Sequence, residues 1–254
     1  MNLFKNIFAR IWAVWGIISF IITFLIVFLP SMCAYLFKDE IKGQEYFIRI
    51  SRIWMNVWLF LIGCNVKISG RKYFEQNKNY VVVFNHNALL DVPLSAPYVP
   101  GANKTIAKSS FAKVPLFGLF YKKGAVLVSR EKEDSRIRSY EAMRAVLRKG
   151  MHMCIYPEGT RNRTGKPLKE FYDGAFRLAV DAGKEVIPCV ITGTKEAMPI
   201  HKTFYLLPHR LGMKFLAPVS SDGINAKDLK TKVYGIMLEE LKQLSEPGSI
   251  GSED

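Results

Sequence analysis

The chain has 254 residues, enough for one sizeable domain and a short appendage, and 49% of them are hydrophobic, too many for a disordered tail. Lys and Arg number 36 against 22 Asp and Glu, a formal charge of +14 that calls for an acidic partner: nucleic acid, anionic lipid headgroups or an acidic carrier. No zinc-finger spacing, RNA-binding aromatic signature or basic repeat occurs, which argues against nucleic acid. The cysteines Cys33, Cys64, Cys154 and Cys189 are scattered, form no C-x-x-C pair and read as reduced, buried side chains rather than nucleophiles.

From the N-terminus, residues 11–30 are almost wholly apolar, interrupted only by Ser19 and Thr23 and preceded by Lys5 and Arg10. That is about the length that spans a bilayer core. The run is too long for a signal-peptide core and no small-x-small cleavage site follows, so it reads as a permanent anchor. A second apolar stretch, residues 53–64, has Arg49 and Arg52 just before it and too few clean residues to span. An interfacial helix among the headgroups accounts for both its length and its arginines. Two arrangements follow: a helical hairpin dipping into one leaflet, or a first helix that crosses. Residues 1–65 are thus expected to be membrane-anchoring helices, and residues 66–254 a globular domain.

In that domain residues 80–84, Tyr-Val-Val-Val-Phe, form an unbroken β-branched run of the kind found in buried parallel strands. Residues 125–128, 153–156 and 186–191 repeat the pattern. Helical periodicity spans residues 134–149, with Ile137, Met143, Val146 and Leu147 apolar and Gly150 placed as a C-cap. Residues 173–182 predict a further helix ending at Gly183, and residues 225–244 a final amphipathic one. Strands alternating with helices predict an α/β fold with a mostly parallel central sheet flanked by helices.

Three segments carry chemistry. His86 directly follows the 80–84 strand, and in open α/β sheets functional groups gather at the carboxyl ends of strands. Asp91 stands five positions on; inside one regular helix the two would point about 140° apart, so they meet only if His86 is on a loop and Asp91 begins the next element. Such a carboxylate accepts the imidazole Nδ1–H and leaves Nε2 to remove a proton. By itself the H-x-x-x-x-D spacing fits a loop-capping histidine equally well. Residues 157–161, Pro-Glu-Gly-Thr-Arg, follow another strand, with a glycine that lets the backbone approach a ligand and an arginine fork for phosphate. Composition alone also fits a solvated basic loop. The third segment, residues 108–130, runs from Lys108 through an apolar Val114-Pro-Leu-Phe-Gly118 to Arg130 at a strand end; on its own it reads as a turn and a core helix. No G-x-S-x-G serine elbow is present, and the histidines lack metal-ligand spacing.

Taken together, NHNALLD (85–91), KSSFAKVPLFGLFYKKGAVLVSR (108–130), YPEGTRNRTGKPLKEFYDGAF (156–176) and VIPCVITGT (186–194) resemble, in order, the four motif blocks of the glycerolipid acyltransferases, in particular bacterial 1-acyl-glycerol-3-phosphate acyltransferases. The resemblance covers roughly residues 66–217, and the preceding two-helix membrane motif is similar as well. It implies that His86 is the general base and Asp91 its orienter. It also implies that Lys108, Arg130, Glu158, Gly159, Thr160 and Arg161 form the acceptor-phosphate site, and that Pro188 belongs to the fourth block. The donor it implies is acyl-CoA or acyl-carrier protein as a substrate, with no metal and no resident cofactor. The acceptor it implies is lysophosphatidic acid, with glycerol-3-phosphate or another lysolipid as an alternative. A non-catalytic protein that only binds anionic lipid is the reading from another class. The implied location is the inner membrane, with the catalytic domain facing the cytoplasm. Two positions depart from the family pattern: Ser110 stands where a Glu is frequent, and Asn87-Ala88 replaces Gln-Ser after the histidine.

Overall fold

A computed structural model describes residues 3–128 and 133–245. In chain order the elements are α1 (Leu3–Met32), α2 (Glu40–Leu61), β1 (Asn65–Ser69), β2 (Val81–Phe84), α3 (Asp91–Ser95), β3 (Asn103–Lys108), α4 (Phe117–Gly124), β4 (Ala125–Val128), α5 (Glu133–Arg148), β5 (His152–Ile155), α6 (Gly174–Ala182), β6 (Val186–Thr192), α7 (Thr194–Ala197), β7 (Arg210–Phe215) and α8 (Ala226–Gln243). The seven strands form one sheet in the order β1-β7-β6-β2-β5-β3-β4. Every neighbouring pair is parallel except β6 and β7, so the sheet is mostly parallel with helices on both faces, the expected class.

Successive side chains of a strand point to opposite faces, and here the core divides along that alternation. Val82 and Phe84 of β2, with Tyr80 before it, join one cluster, while Val81 and Val83 join the other. The second cluster is closed by α5, α6 and α8 through Leu147, Phe176, Val233 and Met237, all nearly or fully buried. Helix ends fall where the sequence places them. Gly183 caps α6 with φ of 57°, a left-handed conformation that glycine adopts without penalty, and the Asn225 side chain caps α8 by accepting from the Lys227 and Asp228 amides.

The first cluster is closed by the N-terminal hairpin. Trp54, Met55, Trp58 and Leu59 of α2 share it with Tyr80, Leu94, Leu211 and Met213. Residue 65 is therefore not a break between two cores. A stripe of small residues on α1 (Ala9, Ala13, Gly16, Ser19 and Thr23) is buried, and the two helices lie close along it. Each of the four tryptophans donates an indole N–H across the hairpin: Trp12 to the Ile62 carbonyl, Trp15 to Leu61, Trp58 to Gly16, and Trp54 to the Thr23 hydroxyl, at 2.9–3.0 Å. The opposite face of α1 stays bare, with Ile11, Ile18, Ile22, Leu25 and Leu29 exposed.

The helix α1, 30 residues or about 45 Å long, is the one described helix that is long and apolar enough to cross a membrane. The second helix is not among the described helices apolar enough to span, as its composition predicts, but it is longer than the apolar stretch. It is 22 residues long and starts well before the apolar stretch, at Glu40, capped by the Asp39 side chain. Arg52, expected among headgroups, is half-buried and donates to the Pro97 and Val99 carbonyls, fastening α2 to the loop before β3. Cys33 is exposed, against expectation, while Cys64, Cys154 and Cys189 are buried. Burial pushes the Cys154 and Cys189 thiols well up, which leaves them protonated and unreactive at neutral pH.

Candidate active site

Strand β2 ends at Phe84, and the chain then passes through Asn85 to His86. Asn85 is fully buried and locks this exit in place: its amide donates to the Ile191 carbonyl at 2.9 Å and its oxygen accepts from the Ile191 amide at 2.6 Å. His86 sits on the loop and Asp91 is the first residue of α3, the arrangement their spacing requires. The His86 Nδ1 lies 2.8 Å from Asp91 Oδ2. The same oxygen accepts from the Asn87 amide at 2.6 Å and the Ala88 amide at 2.7 Å, which secures the turn between the two residues. Asp91 is fully buried, whereas the imidazole is 16% exposed and Nε2 makes no hydrogen bond to a described residue. The nitrogen turned away from Asp91 is the one left for a ligand.

The adjacent strand β5 delivers the second segment. The register pairs Val83 with Ile155, and three residues further along each chain His86 faces Glu158. The His86 amide donates to Glu158 Oε1 at 2.6 Å, and the His86 carbonyl accepts from the Asn162 amide, also at 2.6 Å. Segment 158–162 therefore grips the histidine backbone on both sides. Tyr156 lays its ring against the imidazole, centroids 4.5 Å apart, while its hydroxyl and the Ser95 hydroxyl lie 2.6 Å apart. The turn itself needs glycine, because Gly159 has φ of 69° and a Cβ there would come within 2.8 Å of the Tyr172 ring.

Glu158 departs from the role of a phosphate ligand. Its side chain is fully buried, Oε1 serves the His86 amide, and Oε2 accepts from the Lys169 amide at 3.2 Å. A carboxylate set beside a phosphate would repel it, and here the carboxyl lies beneath the loop. Burial raises its pKa to about 7, against the two amide bonds that favour the ionised form. Thr160 is exposed, Arg161 is half-buried, and Arg161 makes no hydrogen bond to a described residue. Lys169, which the sequence did not single out, bonds the Glu158 carbonyl at 3.1 Å and the Thr160 hydroxyl at 2.8 Å, bringing a cation under the turn. Its signal was a lysine shortly after a basic glycine turn, one of several in that run.

Lys108 is the exposed last residue of β3, beside β5 in the sheet and opposite Val128 of β4. The ends of β2, β5, β3 and β4 thus meet at one edge, and His86, Glu158 and Lys108 all lie there. Arg130, two residues past Val128, lies outside the described residues. Pro188 is within β6, opposite Val83 of β2, so it contributes to the sheet and not to the edge. Among the described residues no group of three or more His, Cys, Asp or Glu gathers in a way that could hold a metal ion.

A family model described as acyltransferase matches residues 65–192, half of the chain and the part that carries every element of this edge. The chain belongs to the acyltransferase family. Among its relatives is the mouse 1-acyl-sn-glycerol-3-phosphate acyltransferase alpha, 29% identical over 199 residues that cover 76% of this chain and 70% of that one. The coconut 1-acyl-sn-glycerol-3-phosphate acyltransferase is 30% identical over 170 residues, covering 65% of this chain and 53% of its own length. The crystal structure of the 1-acyl-sn-glycerophosphate acyltransferase PlsC from Thermotoga maritima superimposes with a TM-score of 0.80 over the whole of both chains at 22% identity, so the acyltransferase shares its fold, N-terminal helices included.

Proposed function

We propose that the protein transfers a fatty acyl group from a thioester, acyl-CoA or acyl-carrier protein, to the sn-2 hydroxyl of 1-acyl-glycerol-3-phosphate, forming phosphatidic acid. The observation that carries this reading is the His86–Asp91 pair, with Nδ1 tethered and Nε2 open, held against a glycine turn that has basic residues on and under it. The curated relatives named for this reaction supply the substrate class.

In this reading His86 Nε2 takes the proton of the acceptor hydroxyl as its oxygen attacks the thioester carbonyl. The buried Asp91 carboxylate stabilises the imidazolium that forms. Collapse of the tetrahedral intermediate expels the thiolate, which takes the proton back from His86. A positioned base of this kind contributes about 10²–10⁴-fold in rate. The acceptor phosphate rests on Gly159, Thr160 and Arg161, with Lys169 beneath and Lys108 along the edge. Glu158 supports the turn instead of touching the ligand. The acceptor's own acyl chain stays in the bilayer, which the bare face of α1 enters, and the donors place the catalytic domain on the cytoplasmic side of the inner membrane. Release of thiol from palmitoyl-CoA tests the reading: it should need lysophosphatidic acid and vanish in His86→Ala. Release without acceptor would mean a thioesterase, and none from CoA or carrier-protein thioesters would mean a lipid binder.

A further inference from the structure

A single hydrogen bond fixes one point of a ring, and the histidine χ2 torsion is broad, with no sharp staggered wells. The imidazole and both loop amides bond Asp91 through Oδ2, while its Oδ1 is buried with no hydrogen-bond partner among the described residues. Asp91 therefore holds the position of Nδ1 and leaves the imidazole free to swing about it, which would carry Nε2 off the line to an acceptor. The Tyr156 ring opposes that swing. It lies against the imidazole with centroids 4.5 Å apart and planes inclined at 35°, and it packs on Phe84 with centroids 5.5 Å apart.

The Tyr156 ring is itself held at its far end. Its hydroxyl lies 2.6 Å from Oγ of the fully buried Ser95. Ser95 directs its own proton to the Val92 carbonyl, 3.3 Å away, so the phenol donates. Burial and the Asp91 charge hold that phenol well above its ordinary range, which keeps it a donor at neutral pH. Asp91 and Ser95 are the first and last residues of α3, four apart and so on one side of its single turn. The contacts close a circuit: His86 to Asp91, along α3 to Ser95, across to Tyr156 and back to His86.

We infer that Tyr156, anchored on Ser95, is a positioning residue for the base: it sets the plane of the His86 ring and with it the direction of Nε2. The role rests on the acyl-transfer reading above. The negative face of the same ring also lies within the roughly 6 Å reach of a cation–π contact with the imidazolium that forms during proton transfer.

Four variants of the full chain in detergent test the circuit, each by steady-state kinetics beside a melting curve. Ser95→Ala leaves the phenol without its partner, whereas the Tyr156→Phe/Ser95→Ala double variant removes both ends of the bond and leaves no orphan, so it should melt close to wild type. Tyr156→Phe, Ser95→Ala and the double variant should each lower kcat about tenfold with KM for lysophosphatidic acid and palmitoyl-CoA unchanged, and the double should be no worse than the singles because all three break one bond. Tyr156→Leu, which removes the ring, should lower kcat about 10²-fold. A double variant that regained wild-type kcat together with its melting temperature would reduce the bond to a structural one and overturn the inference. A raised KM at constant kcat would also overturn it, placing Tyr156 in substrate binding. The imidazole gives a readout independent of turnover. In protein labelled at histidine Cε1, with the His86 signal assigned by its loss in His86→Ala, the chemical shift should differ between wild type and Tyr156→Phe, whose rings have nearly equal ring currents. An unchanged shift would overturn the inference. Wild type without acyl transfer would overturn the proposed reaction alone, and the chemical shifts would still decide whether Tyr156 sets the ring, so the two failures are distinguishable.

Discussion

The main-chain amide of His86 donates to the buried Glu158 carboxylate at 2.6 Å, so the residue read as the base and the residue read as part of the phosphate turn form one structural unit. Removing a buried acceptor of two amides leaves both unpaired, at about 1–3 kcal/mol each. Glu158→Ala should therefore lower thermal stability and reduce kcat through displacement of His86, with a smaller effect on the acceptor KM. Steady-state kinetics beside a melting curve would check this. A raised acceptor KM with kcat and stability unchanged would return Glu158 to the phosphate site.

The same carboxyl makes stability depend on pH in an identifiable way. Its folded pKa is raised from 4.5 to about 7, chiefly by burial, so the folded state holds the proton more tightly. That contribution is fully present below pH 4.5 and is lost as pH rises through about 7. His152 acts with the opposite sign. Buried, with Nδ1 accepting from the Tyr80 amide at 3.1 Å, it has its pKa lowered from 6.5 to about 4, so its contribution is present above pH 6.5 and lost as pH falls toward 4. Between pH 4.5 and 6.5 the two offset each other in the wild type. The stability margin of wild type over Glu158→Gln should shrink steadily from pH 4.5 to 7 in denaturant titrations, because His152 is common to both. A margin that widened with pH would reverse the assignment.

The His86–Asp91 pair predicts two different losses. The imidazole is partly exposed and, among the described residues, bonds through its side chain only to Asp91, so His86→Ala should cost about 10²–10⁴-fold in kcat with little change in melting temperature. Asp91 Oδ2 accepts from the ring and from two amides, so Asp91→Asn should damage both activity and stability. Paired kinetics and calorimetry would separate them, and equal destabilisation by both changes would count against the assignment of roles.

How much of this was legible in the sequence follows from burial. The central strands β2, β5 and β6, flanked on both faces, show as unbroken apolar runs, and the loop position of His86 followed from its spacing to Asp91. Strands β1, β3 and β7 (NVKIS, NKTIAK and RLGMKF) were not recognised, because they mix charged residues into half-exposed positions toward the sheet's margins. Glu158 was grouped with its basic neighbours because the sequence shows the turn and not which way each side chain points. Tyr156 and Asn85 were missed for a related reason. Their roles are contacts with His86 and Ile191, and the Asn85 partner is 106 residues away.

Arg161 tests the acceptor site itself. Its guanidinium is half-buried at the turn and bonds to no described residue, so its removal leaves no orphaned protein group. A bidentate bond to phosphate is worth about 1.5–3 kcal/mol, so Arg161→Ala should raise the lysophosphatidic acid KM by about 10–150-fold while sparing stability. A lysolipid without phosphate should be used equally well by both proteins, and an equal penalty on that lipid would remove Arg161 from phosphate recognition.

The N-terminal hairpin is expected to be more than an anchor, because the sheet depends on it for one of its two covers. Trp54, Trp58 and Leu59 close the cluster that holds Tyr80, Leu94 and Met213, and these three are 0–1% exposed in the intact chain. A fragment of residues 66–254 would open that contiguous apolar face to water, and such faces drive association. It should therefore aggregate even in the absence of any membrane requirement, and detergent should rescue its solubility without restoring a cooperative thermal transition. A soluble fragment that melts cooperatively would show that the α/β domain is complete without its helices. Trp58→Phe in the full chain is the milder version: it removes one indole bond to the Gly16 carbonyl and should cost about 1 kcal/mol, read as a small downward shift of the same transition.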